Sequence, residues 1–335
     1  MGALKAVGID AIMKRGSIKD IDVLDLRKAF YGDNTMSADE AQLLFTVNKS
    51  SPVQDPAWAP FFIEAVTDFL VNQAQPEGYI TAENASWLLA RCSTQGVVNS
   101  HLEFDLVVNI LERSRWSPVS LVSFALEQIR RAVANGEGPL RSDGLTPKNH
   151  ITSADIEQIR RIIYAFGGDG NVAITRSEAE VLFAINDAVE QGQPNPAWTD
   201  FLVKALANSV MAASGYAVPP REDALKEGDW LDRRGDLSPS ALLRSIANTS
   251  LLEVKDLYFE QSAEERALAR LERQRIEIIT NEQITEGEAS WLAERLGRDG
   301  TISANERALI DFLNRESPNV HPVLKDAMSR ICAAA

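Results

Sequence analysis

The sequence predicts an all-α protein made of two tandem, related multi-helix halves. Three observations carry the prediction: segments that recur along the chain, apolar residues at helical spacing, and Ser/Thr-x-x-Glu pairs where those helices begin. "ITAENASWLLAR" (80–91) and "ITEGEASWLAER" (284–295) agree at seven of twelve positions, Trp87 and Trp291 among them. "SADEAQLLFTVN" (37–48) and "TRSEAEVLFAIN" (175–186) share the frame E-A-x-x-L-F-x-x-N, which pairs Glu40 with Glu178, Phe45 with Phe183 and Asn48 with Asn186. "DPAWAPFF" (55–62) then answers "NPAWTDFL" (195–202).

Two unit types therefore alternate. The first covers about 18–73 and again about 151–214; the second covers about 74–133 and again about 281–332. The first half is 1–133, a Gly- and Pro-rich linker occupies 134–150, and the second half is 151–335 with an insertion at 215–280. In the first unit, Ser37 with Glu40 forms a capping box, and so do Thr175 and Glu178 in its copy. Asp55 and Asn195 suit the helix N-cap, with Pro56 and Pro196 at the first helical position, where a missing N–H costs nothing. Phe61, Phe62, Ala65, Val66, Phe69 and Leu70 then recur at helical spacing, as do Leu202, Ala205, Leu206 and Val210. In the second unit, Ser303 pairs with Glu306 and Thr285 with Glu288. No run alternates as a strand would. Tryptophans kept in both copies, Trp58 with Trp198 and Trp87 with Trp291, are expected in the core.

Composition bounds the function classes. The 335-residue chain carries a formal net charge of -14, which repels phosphate backbones and anionic lipid, so neither nucleic acid nor a membrane surface is an expected partner. Two distant cysteines, no signal-like N-terminus and no span-length apolar run fit the cytoplasm. His101, His150 and His321 show no zinc spacing, and neither a nucleophile elbow nor a phosphate-binding loop occurs.

A related turn precedes a helix in every unit: "GDNTMSADE" (32–40), "QGVVNSHLE" (95–103), "GGDGNVAITRSE" (167–178) and "GRDGTISANE" (297–306). The last matches the tail of a calcium loop, Asp299-Gly300 followed after five residues by Glu306. Arg295 and Gly297 stand where the first and third ligands belong, so the oxygen set is half built. The same residues serve as a helix start: an Asp/Gly turn, an apolar plug (Met36, Val98, Ile174 or Ile302) and a Ser/Thr–Glu cap. Calcium ligands, if the turns bind it, are Asp169, Glu178, Asp299, Ser303 and Glu306.

"RDGTISANE" between two helices, with its weaker copies, resembles the TerB-like tellurite-resistance fold and more distantly the EF-hand. That resemblance implies compact helical modules of the kind linked to stress response and metal. The "NPAWTDFLVKALAN" and "ASWL" stretches look like those of bacterial proteins. The insertion breaks the symmetry: Trp230 has no counterpart, and Leu268, Leu271 and Ile278 form a narrow stripe on a charged helix at 262–279, suited to a partner surface. Three functional readings follow. The first is a non-catalytic interaction or scaffold protein presenting duplicated modules to protein partners. The second is a calcium-responsive regulator, and the third an enzyme with a site between the halves.

Overall fold

The computed structural model describes residues 8–31, 35–142, 144–165, 174–190, 195–213, 286–298, 302–316 and 322–334. The chain is mostly helical. It divides into two compact units, Met1–Ala132 with Glu137–Thr146, and Val133–Gly136 with Pro147–Ala335.

The first unit opens with α1 (Ile9–Arg15), which Gly16 ends in the left-handed region at φ 67°, its N–H reaching back to Ile12 and Met13 carbonyls. Then follow α2 (Asp20–Tyr31), α3 (Ala38–Ser50), α4 (Trp58–Thr67, continuing as a π-helical turn Asp68–Gln73), α5 (Ala82–Cys92), α6 (His101–Arg113) and α7 (Val119–Asn135). The second unit carries α8 (Ser153–Ala165), α9 (Arg176–Val189), α10 (Pro196–Ala213), α11 (Glu286–Arg295), α12 (Ala304–Glu316) and α13 (Pro322–Ala334). The 134–150 segment holds a 3-10 turn, Pro139–Arg141, with Arg141 buried.

Caps set the helix starts. Ser37–Glu40 and Thr175–Glu178 form complete capping boxes on α3 and α9. Ser303 accepts from the Glu306 N–H at 3.0 Å while Glu306 accepts from the Ser303 N–H at 2.9 Å, which starts α12. Asn195 accepts the Ala197 N–H where α10 starts at Pro196, as expected; Asp55 accepts the Ala57 N–H, but Pro56 lies in a turn and α4 starts only at Trp58, with no side-chain cap. The turn at 95–103 closes as expected, and a further cap lies on α8. Ser100 accepts from the Glu103 N–H on α6, and Thr152 trades hydrogen bonds with Asp155 on α8. Thr285 and Glu288 fall where the described residues end.

Short strands depart from the purely helical expectation. β1 (Ser17–Ile18) pairs in parallel with β2 (Val53–Gln54), and β3 (Ser93–Thr94) pairs antiparallel with β4 (Val97–Val98). The second pair closes through Gln95 and Gly96, at φ 52° and 77°; two positive φ angles in a two-residue loop make the turn whose twist suits a hairpin. Strands of two residues leave no alternation to read.

Aromatic side chains fill the core of the first unit. Phe62 lies edge-on to Phe45 at 5.2 Å and beside Trp58 at 5.7 Å, and Trp58, Phe61, Phe62 and Phe104 are fully buried. In the second unit Trp198, Phe183, Ile159, Ile162, Leu206, Leu309 and Leu313 are all buried. In each unit the helix that follows the "PAW" segment packs on the helix that follows the last capped turn: α4 on α6, α10 on α12. The turn plugs Met36, Val98 and Ile174 are buried, while Ile302 is half-buried.

Because Phe62 meets no water, Phe62→Ala should cost about 3–5 kcal/mol, whereas Ser37→Ala, losing one cap, should cost about 1 kcal/mol. Urea unfolding followed by tryptophan fluorescence measures both; equal losses would contradict the packing described.

Candidate binding clefts

A buried indole needs an acceptor for its one N–H. Trp58 on α4 donates to Asn48 Oδ1 on α3 at 2.9 Å, and Trp198 on α10 donates to Asn186 Oδ1 on α9 at 3.3 Å. Each asparagine ends the shared E-A-x-x-L-F-x-x-N frame. Its remaining amide capacity reaches the capped helix of the same unit. Asn48 Nδ2 lies 3.5 Å from Glu103 Oε1, and Asn305 Nδ2 donates to Asn186 Oδ1 at 2.7 Å.

The second bracket is built on the "ASWL" helices. Trp87 on α5 meets Phe45 edge-on at 5.8 Å, and Trp291 on α11 meets Phe183 edge-on at 6.3 Å. These two tryptophans are half-buried, not sealed in the core as expected, because one face of each carries an arginine. The Arg91 guanidinium lies 3.9 Å from the Trp87 ring centre, and that of Arg176 lies 5.0 Å from Trp291. Arg91 also donates to the Trp87 carbonyl at 2.8 Å and to Gln42 Oε1 at 2.6 Å. At the matching place in the second unit, Arg295 is buried. It donates to Asp187 Oδ2 at 2.6 Å, and its Nε stands 3.4 Å from Glu180 Oε2. Glu180 also accepts from the Trp291 indole.

Between these brackets lies an open cleft in the first unit, about 770 Å³, walled by α3, the β2 segment, α5 and the start of α6. Phe45, Asn48, Lys49, Arg91, Ser100 and Glu103 line it. In the second unit the corresponding space is about 280 Å³, lined by Asp187, Glu190, Arg295, Arg298 and Glu306.

Burial shapes the charges of the open cleft. It raises the Glu103 carboxyl above the ordinary 4.5, and hydrogen bonds from Ser100 and Asn48 offset part of the rise. It lowers Arg91, which as an arginine stays charged at neutral pH. Cys92, behind Arg91 and fully buried, has its thiol raised well above 9.0, chiefly by burial, which makes it an inert packing group. His101 is exposed and drawn upward by its hydrogen bond to Asp105, 3.1 Å away.

Of the calcium candidates, Glu178, Ser303 and Glu306 are described. Glu178 accepts the Thr175 N–H at 2.7 Å. Both Glu306 oxygens accept backbone N–H groups, from Gly297 at 3.0 Å and Ser303 at 2.9 Å. Asp169 and Asp299 lie outside the described residues, as do Trp230, Leu268, Leu271 and Ile278. Among the described residues, no group of three or more His, Cys, Asp or Glu side chains is placed to hold a metal ion. No described helix is long and apolar enough to cross a membrane.

Sequence reasoning missed Asn48, Asn186, Arg91 and Arg295 as the centres of both brackets. The signal was present: Asn48 matches Asn186 and Arg91 matches Arg295 in the aligned segments. Compared with models of protein families, with curated proteins and with solved structures, the chain gives no match.

Glu103 yields a pH prediction. Its folded pKa lies above its unfolded value, so its contribution to stability is complete below the ordinary 4.5 and is lost as pH rises through the raised folded value. Glutamine keeps the capping geometry without the buried charge. Glu103→Gln should therefore gain on the wild type as pH rises above 4.5, read as urea midpoints across a pH series. A stability difference constant with pH would contradict it.

Proposed function

We propose that this chain is a non-catalytic helical interaction protein built from two related halves, each shaping a polar cleft at the same place, with the cleft of the first half open to a protein partner. The observation that supports this reading is the recurrence of one bracket. A buried tryptophan held by an asparagine, a half-buried tryptophan edge-on to a phenylalanine, an arginine and a capping glutamate recur at matched positions in both halves, although the guanidinium over the half-buried ring is that of Arg91 in the first half and of Arg176, not the matching Arg295, in the second. Duplicated modules with equivalent recesses suit a protein that presents surfaces. The wide mouth of the first cleft, with both apolar and polar walls, suits a peptide segment more than a small substrate. The acidic net charge and the candidate stripe of Leu268, Leu271 and Ile278 fit a role among proteins, in the cytoplasm, away from nucleic acid and lipid.

Thr46 is exposed on α3 and lines the open cleft, so its replacement by tryptophan fills the space from the solvent side without touching the core. Capture by the full chain, followed by quantitative mass spectrometry, should lose the same partners in Thr46→Trp that the wild type retains. An unchanged partner set at unchanged yield would overturn the proposal.

A further inference from the structure

The two halves serve as each other's comparison, and they differ at the arginine. In the second unit Arg295 is closed by carboxylates of its own chain, Asp187 at 2.6 Å and Glu180 at 3.4 Å. Asn186 beside them donates to Glu190 at 3.0 Å. The sequence alignment puts Gln42 in the place of Glu180, Lys49 in that of Asp187 and Pro52 in that of Glu190. Arg91 therefore has a neutral amide where Arg295 has an anion, and a lysine where Arg295 has its nearest carboxylate. The Nε atoms of both arginines are buried without a hydrogen-bond partner, so the difference between the clefts lies in the groups at positions 42 and 49. Lys49 and Arg91 both line the open cleft, and the carboxylate among its lining residues, Glu103, is already engaged by Ser100 and Asn48. An acidic chain has thus placed two cations around a wide recess.

We infer that the cleft of the first unit receives an acidic segment of a partner protein, a carboxylate of which lies between Arg91 and Lys49 as those of Asp187 and Glu180 lie on Arg295. The inference rests on the interaction reading above and adds the chemistry of the partner. The second cleft is then self-occupied, and the first is the same site with Gln42 and Lys49 in place of Glu180 and Asp187, Glu103 remaining at its edge beside Lys49. A guanidinium fixed against Trp87 and to the carbonyl of that residue presents its remaining N–H groups in a set direction, which suits a carboxylate. The overall charge of the protein opposes any loose association with an acidic peptide, so binding of one reports a local site.

The test uses the full chain and a fluorescein-labelled peptide of alternating Glu and Ser, read by anisotropy. A peptide with Gln for Glu and free succinate serve as the other arms. The Glu peptide should bind, weaken as salt is raised, and bind about tenfold more tightly than the Gln peptide. Q42E/K49D, which copies the second unit's carboxylates onto exposed positions of α3, should weaken Glu-peptide binding about tenfold with the melting temperature retained. K49D alone, at an exposed site, should weaken it in the same direction and covers the case in which the double variant is unstable. The converse exchange, E180Q/D187K, should create a second binding equivalent. No binding of the Glu peptide, or equal binding by wild type, Q42E/K49D and K49D, would overturn the inference. Succinate binding as tightly as the peptide would overturn the protein source. Loss of partners in Thr46→Trp with partners kept in Q42E/K49D leaves the cleft as a docking site and removes its acidic ligand. Partners kept in Thr46→Trp remove the interaction reading itself.

Discussion

A fully buried indole N–H must find an acceptor, and much of each unit is arranged around that requirement. Leaving such a donor unpaired costs on the order of 1–3 kcal/mol, as much as a sizeable core truncation. In the first unit the acceptor is Asn48, at the last turns of α3; in the second it is Asn186, at the same place on α9. Once the asparagine is committed to the tryptophan, its own amide needs partners too. Gln54 from β2 donates to Asn48 Oδ1 at 2.9 Å, and Glu103 from α6 faces its Nδ2. Asn305 from α12 and Glu190 do the equivalent for Asn186. One buried N–H thus ties the tryptophan helix, the frame helix and the capped helix together, and it does so directionally, which apolar packing alone cannot.

This polar centre sits beside the cleft, not beneath a sealed core. The glutamates at N3 of α6 and α12 cap a helix and also face the recess, so their burial follows from their structural duty. The same reasoning accounts for Trp87 and Trp291. Each fills the space against a phenylalanine with one edge and offers a face to a cation, and a cation needs a route to water or an anion. In the second unit the cation on Trp291 is Arg176, while Arg295, 4.7 Å from the Phe183 ring centre, is met internally by Asp187 and Glu180. In the first, Gln42 satisfies one N–H group of Arg91 and the space beyond stays open.

Helices and caps were legible in the sequence because their causes are local. Ser37–Glu40, Thr175–Glu178 and Ser303–Glu306 are three residues apart, and the structure closes each pair. The apolar spacing of Phe61, Phe62, Ala65 and Val66 likewise reports one buried face. What the sequence hid was spatial. Nothing in the frame says that Asn48 accepts from a residue ten positions on, or that Arg91 lies on a ring four positions back. Retained asparagine and arginine pointed to a role without naming it. The strand pairs were hidden because two residues carry no period, and Gln95 reads as an ordinary polar residue until its positive φ is seen. Repetition of the tryptophans at 87 and 291 marks a shared edge-on contact with Phe45 and Phe183 and not full burial, since an arginine covers the other side of each ring.

The difference between the clefts then rests on a small number of side chains whose change leaves the scaffold intact. Gln42 and Lys49 project from exposed positions of α3, each about one turn from the buried Phe45, on either side of it. A glutamine-to-glutamate or lysine-to-aspartate exchange there alters no core volume, so its structural cost is that of a surface substitution, within about 0.5 kcal/mol. Its electrostatic effect on a half-buried guanidinium is larger, because the pair sits where water screens it less. The tryptophan–asparagine centre can therefore stay fixed in each unit while the rim decides whether the arginine meets a carboxylate of its own chain, as Arg295 does, or an amide, as Arg91 does. Phe45, Asn48, Arg91 and Glu103 line the opening and match Phe183, Asn186, Arg295 and Glu306, so the two rims differ chiefly at Gln42, Lys49 and Pro52.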